Sequence, residues 1–281
     1  MGCGCGATRP SEPFAVELIT SRRNPLVSRL RALQQPKGRR EQGLLLLEGT
    51  HLLQEVLRLG LRPERLLATE AWLARHADLV AQAPLVPQPV GEEVLAAVAS
   101  TDHPDGVVLT LAADALPRAR GRGDFVLALD QLQDPGNLGT LLRTALAAGV
   151  QDVWLGGGAD PLQPKVLRAS AGAVLALPLR REPDRANLLP LLEAARAAGH
   201  QLVATLVEGG DASPVPYWQL DWTRPTVLLL GNEGAGLHPQ LAAMASHRVT
   251  IPHSRAVESL NVAVAAGPLL LERWRQQRQR A

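Results

Sequence analysis

The chain has 281 residues, 46% of them hydrophobic, and a formal net charge of only +2. That length and apolar content support a real core and two domains, while the absence of an apolar run near ~20 residues or of a secretory signal points to a soluble, cytoplasmic protein with no membrane partner. Cys3 and Cys5 are the only cysteines, so a disulfide framework is excluded and a four-ligand zinc site cannot close, leaving no metal expected.

Residues 1–17 are rich in Gly and Pro and read as a disordered tail; the opening MGCGCG lacks the Ser or Thr of a myristoylation signal. TSRRNPLVSRLRALQ (20–34) reads as a cap and a short basic helix. GLLLLEG (43–49) is a strand, HLLQEVLRLG (51–60) a helix ended by Gly60, RLLAT (65–69) a strand and AWLARHADLV (71–80) a helix. PLVPQPV (84–90) is extended, GEEVLAAVAST (91–101) helical and GVVLTLA (106–112) a strand. This alternation marks an α/β domain over 18–113. ADALPRARGRG then reads as a linker, assigned to 114–123, and a second domain fills 124–281.

In that second domain FVLALD (125–130), DVWL (152–155), ALPL (176–179), QLVATL (201–206), TVLLL (226–230) and RVTI (248–251) are strands. Helices over 138–148, 164–171, 187–198, 239–245 and 259–275 fill the gaps, which predicts a mostly parallel sheet covered on both faces.

Charge is unevenly placed. Residues 20–40 hold Arg22, Arg23, Arg29, Arg31, Lys37, Arg39 and Arg40 and no acid. Such a cluster is an electrostatic footprint for a polyanion. Against that, only Lys37 and Lys165 are lysines, so part of the arginine content is a bias of the whole chain.

Three segments at predicted strand ends carry the chemistry: DPGNLGTLLRTA (134–145), LGNEGAGL (230–237) and IPHSRAVESLNVAVA (251–265). Open α/β sheets place ligands at such ends. In the first, Asn137 reads as a helix N-cap and Gly149 as the residue past the C-terminus. Leu138, Leu141, Leu142, Ala145 and Leu146 form the buried side, and Thr140, Arg143 and Thr144 a polar stripe. A guanidinium there can clamp a phosphate bidentately. In the second, Gly231, Gly234 and Gly236 surround Asn232 and Glu233, a density that lets backbone amides approach a ligand. The spacing fits neither a P-loop nor a dinucleotide fingerprint. In the third, Ser259 reads as an N-cap and Asn261 as a polar amide one step inside the last helix, flanked by apolar residues.

Together these segments resemble, closely and in order, the three motifs of the SpoU (TrmH-like) family of RNA ribose methyltransferases in the SPOUT superfamily. EGTHLLQEVL, LLATE and HPDGVVLTL resemble its substrate-binding domain, a small α/β/α RNA-binding sandwich similar to a ribosomal protein. The resemblance spans about Ile19 to Arg275. It implies S-adenosylmethionine as methyl donor, a ribose 2′-hydroxyl as acceptor, a deep trefoil knot in the C-terminal α/β domain, and a homodimer packed through the knotted domains. It further implies donor contacts at Gly231, Asn232, Gly234, Gly236, Ile251 and Leu260. Asn137, Arg143, Glu233, Ser259 and Asn261 match its catalytic-region positions, with Arg143 able to serve a neighbouring subunit. Arg22, Arg23, Arg29 and Arg31 are the expected RNA contacts. The appended first domain favours large-subunit ribosomal RNA over transfer RNA. Two departures stand out: His253-Ser254-Arg255 replaces the usual Met-x-Gly, and Pro268 is expected to interrupt the last helix.

Two other classes are weighed. An RNA-binding protein without catalysis is disfavoured by the intact polar residues. A nicotinamide-dependent oxidoreductase fits the strand–helix alternation but lacks the glycine fingerprint.

Overall fold

A computed structural model describes residues 16–119, 121, 123–206, 214–254 and 256–280. Cys3, Cys5 and nearly all of the expected tail lie outside the described residues, as do Arg120 and Arg122 of the linker and Arg255.

The first half runs α1 (Pro25–Ala32), α2 (Pro36–Gln42), β1 (Leu44–Glu48), α3 (Thr50–Arg58), β2 (Arg65–Ala68), α4 (Glu70–Arg75), α5 (Ala77–Gln82), β3 (Gln88–Pro89), α6 (Glu92–Val98) and β4 (Val107–Ala112). Its strands form one sheet in the order β1-β4-β2-β3. Side chains alternate across a strand, and β1 shows the result: Leu45 and Leu47 enter one core, while Leu46 faces another with Val27 and Leu30 of α1 and Val94 and Leu95 of α6.

Two local expectations change here. The expected single helix over 71–80 breaks at His76, whose ring stacks on Trp72 at 4.5 Å and whose Nδ1 bonds the Trp72 carbonyl. Helix α2, unanticipated within the basic run, starts on Pro36 and ends at Gly43 with φ 65°. Gly38 makes it possible, because a Cβ there would sit 2.1 Å from the Ala32 carbonyl oxygen.

The second half runs β5 (Phe125–Asp130), α7 (Pro135–Ala147), β6 (Asp152–Gly156), α8 (Pro164–Ala169), α9 (Ala173–Ala176), β7 (Leu179–Glu182), α10 (Leu189–Ala197), β8 (Gln201–Thr205), β9 (Val215–Pro216), β10 (Thr226–Leu230), α11 (Pro239–Met244), β11 (His247–Thr250) and α12 (Val262–Arg280). The strands form a seven-stranded sheet in the order β7-β6-β5-β10-β8-β11-β9, and every pairing is parallel. Both faces are buried, which explains the near-continuous apolar runs: Val126 and Ala128 of β5 face α10 and α11, while Leu127 and Leu129 face α7, α8 and α12.

The strand expected at 176–179 lies at Leu179–Glu182 instead. Ala176 closes α9 and Leu177 is buried behind it, so Ala176 and Leu177 belong to a helix end and only Leu179 of ALPL enters the strand. The true strand carries Arg180 and Arg181, a polarity fitting a sheet edge. Leu146, expected on the buried side of α7, is exposed. α12 continues through Pro268 as one helix; the carbonyl that loses its helical partner belongs to Val264, an exposed residue.

The two halves are cross-linked. Arg39 pairs with Asp160, and Arg168 with Glu48 at 3.2 Å. Glu48 is almost wholly buried and also accepts from the backbone amide and hydroxyl of Ser100. Gly172, with φ 81°, lies against Glu55 and Leu52 of α3, and a Cβ on it would meet Glu55 at 2.9 Å. None of the described helices is long and apolar enough to cross a membrane.

Candidate active site

The three segments meet at the carboxyl ends of β5, β10 and β11. β5 ends at Asp130, and the chain turns through Gln131, held at φ 53°. The N-cap of α7 is Asp134, not Asn137: with Pro135 at the first helical position, Asp134 Oδ1 accepts from the Asn137 amide at 2.7 Å. Asn137 therefore sits inside the first turn with its side chain free for other partners.

After β10 the chain doubles back on itself. Asn232 and Gly236 exchange backbone hydrogen bonds of 3.0 Å. A Cβ on Gly231 would fall 2.1 Å from the Leu237 amide nitrogen, so only glycine fits that crossing. The Asn232 side chain is spent on the loop. Its Oδ1 accepts from the Gly234 and Ala235 amides, and its Nδ2 donates to the Gln131 carbonyl at 2.8 Å.

Asn261, expected one step inside the last helix, is instead its cap, since its Oδ1 accepts from the Ala263 and Val264 amides at 2.9 and 3.3 Å. Ser259, expected to cap, lies exposed in the preceding loop. His253 bonds the Ile251 carbonyl through Nδ1 at 2.7 Å.

A directional chain of hydrogen bonds ties the segments together. Asn261 Nδ2 donates to Asn137 Oδ1 at 2.9 Å, and Asn137 Nδ2 donates to Glu233 Oε1 at 3.4 Å. Glu233 also accepts from the Gln133 and Asp134 amides at 3.1 and 3.0 Å. The direction is forced at both ends, because helix amides can only donate and a carboxylate can only accept. Burial pushes the Glu233 carboxyl up, but the hydrogen bonds from Gln133, Asp134 and Asn137 outweigh it and hold it below the ordinary carboxylate value.

Beside this chain lies a solvent-open cleft at the ends of β8, β10 and β11, with a cavity volume of about 190 Å³. Gly231, Asn232, Glu233, Gly234 and Gly236 form one wall, and Ile251, His253, Ser259 and Leu260 the other. Thr205 and Thr250 also line it, and their hydroxyls are buried with no hydrogen-bond partner among the described residues. Asn137 and Asn261 stand behind the wall, joined to it through Glu233.

Arg143 is not brought into the cleft. It is exposed on α7 and makes no hydrogen bond or ion pair among the described residues. Arg22, Arg23, Arg29 and Arg31 are likewise exposed, on α1 and the turn before it. Arg39, part of the same basic run, is buried and holds structure: it bonds the Leu33 and Gln34 carbonyls besides Asp160.

Sequence reasoning missed Asp130. It is buried at the end of β5, accepts from the His238 amide at 3.1 Å, and pairs with Arg185 Nε at 2.7 Å. It thereby anchors the far side of the 231–237 loop. An acid closing an otherwise apolar run was the available signal.

Residues 124–271 match the model of the SpoU rRNA Methylase family, and residues 24–109 that of the MRM3-like substrate binding domain. An uncharacterized tRNA/rRNA methyltransferase of Synechocystis sp. is 45% identical over 92% of this chain and 94% of its own. The 23S rRNA (guanosine(2553)-2′-O)-methyltransferase RlmP of Bacillus subtilis is 33% identical over 90% of this chain and 97% of its own. Among solved structures, the AdoMet-bound rRNA methyltransferase from Sinorhizobium meliloti superposes with a TM-score of 0.77 at 34% identity, covering 92% of this chain and 97% of that one.

Proposed function

The chain belongs to the SpoU rRNA methylase family, and from that premise we infer that it is an S-adenosylmethionine-dependent methyltransferase acting on a ribose 2′-hydroxyl of RNA, with large-subunit ribosomal RNA as its substrate. The observation that carries this reading is the cleft itself. Two of the three segments wall it, and Glu233 fastens it to the third.

The residues present fit the donor. Two unpartnered hydroxyls, Thr205 and Thr250, lie in the cleft wall, and glycines bring backbone close to whatever the cleft holds. In this reading the backbone at Gly231, Ile251 and Leu260 meets the adenine and methionine parts, and Gly234 and Gly236 keep the loop low enough for entry. Asn232 contributes through its backbone, since its side chain is engaged elsewhere. A cleft of this size is smaller than pockets that enclose a ligand, so one side of the donor faces outward, where an RNA can reach it.

The bound donor supplies an electrophilic methyl carbon on a sulfonium. The protein's task is to align the hydroxyl behind that carbon and ease removal of its proton. Glu233 is ill suited to be the base, because its oxygens are occupied by two backbone amides and Asn137; we assign it, with Asn137 and Asn261, to holding the walls in register. Ser259, exposed at the cleft, is assigned to the ribose. Arg143 retains its proton and is assigned to clamping the RNA phosphate and polarising the 2′-hydroxyl.

Because Arg143 stands outside the cleft of its own chain, we place it in the site of a second copy. Val264, Leu271 and Trp274 of α12 and Leu146 of α7 are exposed apolar residues on adjoining helices, which supports a homodimer packed there. The close crossing at Gly231 supports a knotted arrangement of the 231–237 and 251–261 loops. Arg22, Arg23, Arg29 and Arg31 extend the RNA surface, and the cytoplasm is the assigned compartment.

The test is transfer of tritiated methyl from S-adenosylmethionine to unmodified ribosomal RNA, to transfer RNA, and to ribosomal RNA with 2′-deoxy substitutions. Label confined to ribosomal RNA with intact hydroxyls supports the reading. Label in transfer RNA alone reassigns the substrate, and no label in any RNA together with no donor binding removes the catalytic reading.

A further inference from the structure

Where the two domains meet, beside the edge strand β7, lies a cavity of about 390 Å³. Its walls carry four arginines, Arg39, Arg40, Arg118 and Arg181, against one carboxylate, Asp160. That carboxylate is divided: Oδ2 pairs with Arg39 and Oδ1 with Arg181 at 3.4 Å. Arg40 and Arg118 are exposed, and their side chains have no hydrogen bond or ion pair among the described residues. Positive charge is therefore in excess around the groove. Leu116, Pro117 and Leu162 add apolar surface.

Charged groups over an apolar floor fit a ligand that carries both a phosphate and a flat ring. Sequence-specific RNA recognition targets unstacked nucleotides, whose bases stack on flat side chains, arginine guanidinium planes among them, while other arginines bind phosphate bidentately. The cavity volume lies within the range of small-ligand sites. The groove is also preformed, since the Arg39–Asp160 pair ties its two walls together, which removes an ordering cost from binding.

We propose that this interdomain groove holds an unstacked nucleotide of the RNA substrate, with Arg40 and Arg118 on its phosphates and its base against the apolar floor. The proposal rests on the RNA methyltransferase reading above and adds a contact point away from the methyl-transfer cleft.

The experiment compares the full-length protein with an Arg40→Gln/Arg118→Gln double variant and an Arg196→Gln control, each checked for an unchanged melting temperature. Binding of a ribosomal RNA fragment is followed from low to high salt. Each phosphate contact on single-stranded RNA contributes about 0.7 to the log–log salt slope, so the double variant loses about 1.4 and binds about tenfold more weakly at low salt. Its donor affinity and its kcat at saturating RNA stay unchanged while KM rises. RNA affinity and salt slope equal to the control overturn the proposal. Inorganic pyrophosphate bound by the wild type but not by the double variant, with RNA binding equal in both, also overturns it in favour of a free-anion site. Methyl transfer and donor binding by the wild type run in parallel: if it labels no RNA and binds no donor, the methyltransferase reading fails, whereas labelling with an indifferent double variant sinks the groove alone.

Discussion

Asn261 donates its side-chain amide to Asn137 across 124 positions of sequence, at 2.9 Å. The same residue caps α12 with its other atom. One side chain thus sets both the start of the last helix and, through Asn137 and Glu233, the wall of the cleft.

Those two tasks can be separated by substitution. Aspartate at 261 can still cap a helix but cannot donate to Asn137; alanine can do neither. Asn261→Asp is expected to keep its melting temperature, while Asn261→Ala loses about 1 kcal/mol of stability. Both are expected to lose on the order of 10²-fold in kcat/KM, because misplacement of catalytic geometry costs that much. Full activity in Asn261→Asp would show that the cap alone matters.

Glu233 makes stability depend on pH at the acidic end. Its folded-state pKa lies below its ordinary value of 4.5, so its contribution is complete above that value and is lost as pH falls through the folded one. Melting temperatures of wild type and Glu233→Gln are expected to differ at neutral pH and to converge as the pH drops below 4.5. A gap that persists or widens in acid would contradict the ionised role.

Gly231 tolerates no side chain at the loop crossing. Gly231→Ala is expected to weaken S-adenosylmethionine binding at least about tenfold by calorimetry, by forcing the 231–237 loop off its crossing. Gly91, in the first domain and away from the cleft, also has room for a methyl group, with its nearest contact at 3.8 Å, and Gly91→Ala serves as the control. Equal donor affinity in both variants would remove the crossing from the binding site.

Arg143 offers a test by complementation. With the donor held well below the Gly231→Ala dissociation constant, subunits carrying Arg143→Ala and subunits carrying Gly231→Ala are each expected to lose most activity alone. Mixed dimers are expected to regain up to about half the activity per dimer, because one intact cleft then faces one intact arginine. Absence of any recovery would return Arg143 to its own chain's site.

Much of this was legible because buried parallel strands leave unbroken apolar runs, as at Phe125–Asp130 and Thr226–Leu230. The glycine density was legible too, since Gly231, Gly234 and Gly236 lie within six residues, but the backbone crossing that Gly231 permits was not. Roles set by distant partners were not. Asn137 read as a cap because a polar residue before a helical run usually is one, yet Pro135 moved the cap to Asp134. The break at His76 came from a ring stacked on Trp72, a contact without a sequence period. Asp130 looked like the end of a strand, and its two anchoring bonds reach His238 and Arg185 far along the chain.

The cross-domain pairs also limit how portable the first domain is. Arg39 and Glu48 lie in the substrate-binding half, and their partners Asp160 and Arg168 in the catalytic half, where Gly172 must stay bare to admit α3. A different recognition module grafted onto this catalytic half would leave the half-buried Asp160 and Arg168 without these partners unless it brought matching residues. Descent of new specificities by exchanging whole modules is therefore constrained here to donors that share this seam, and change within the existing module is the easier route.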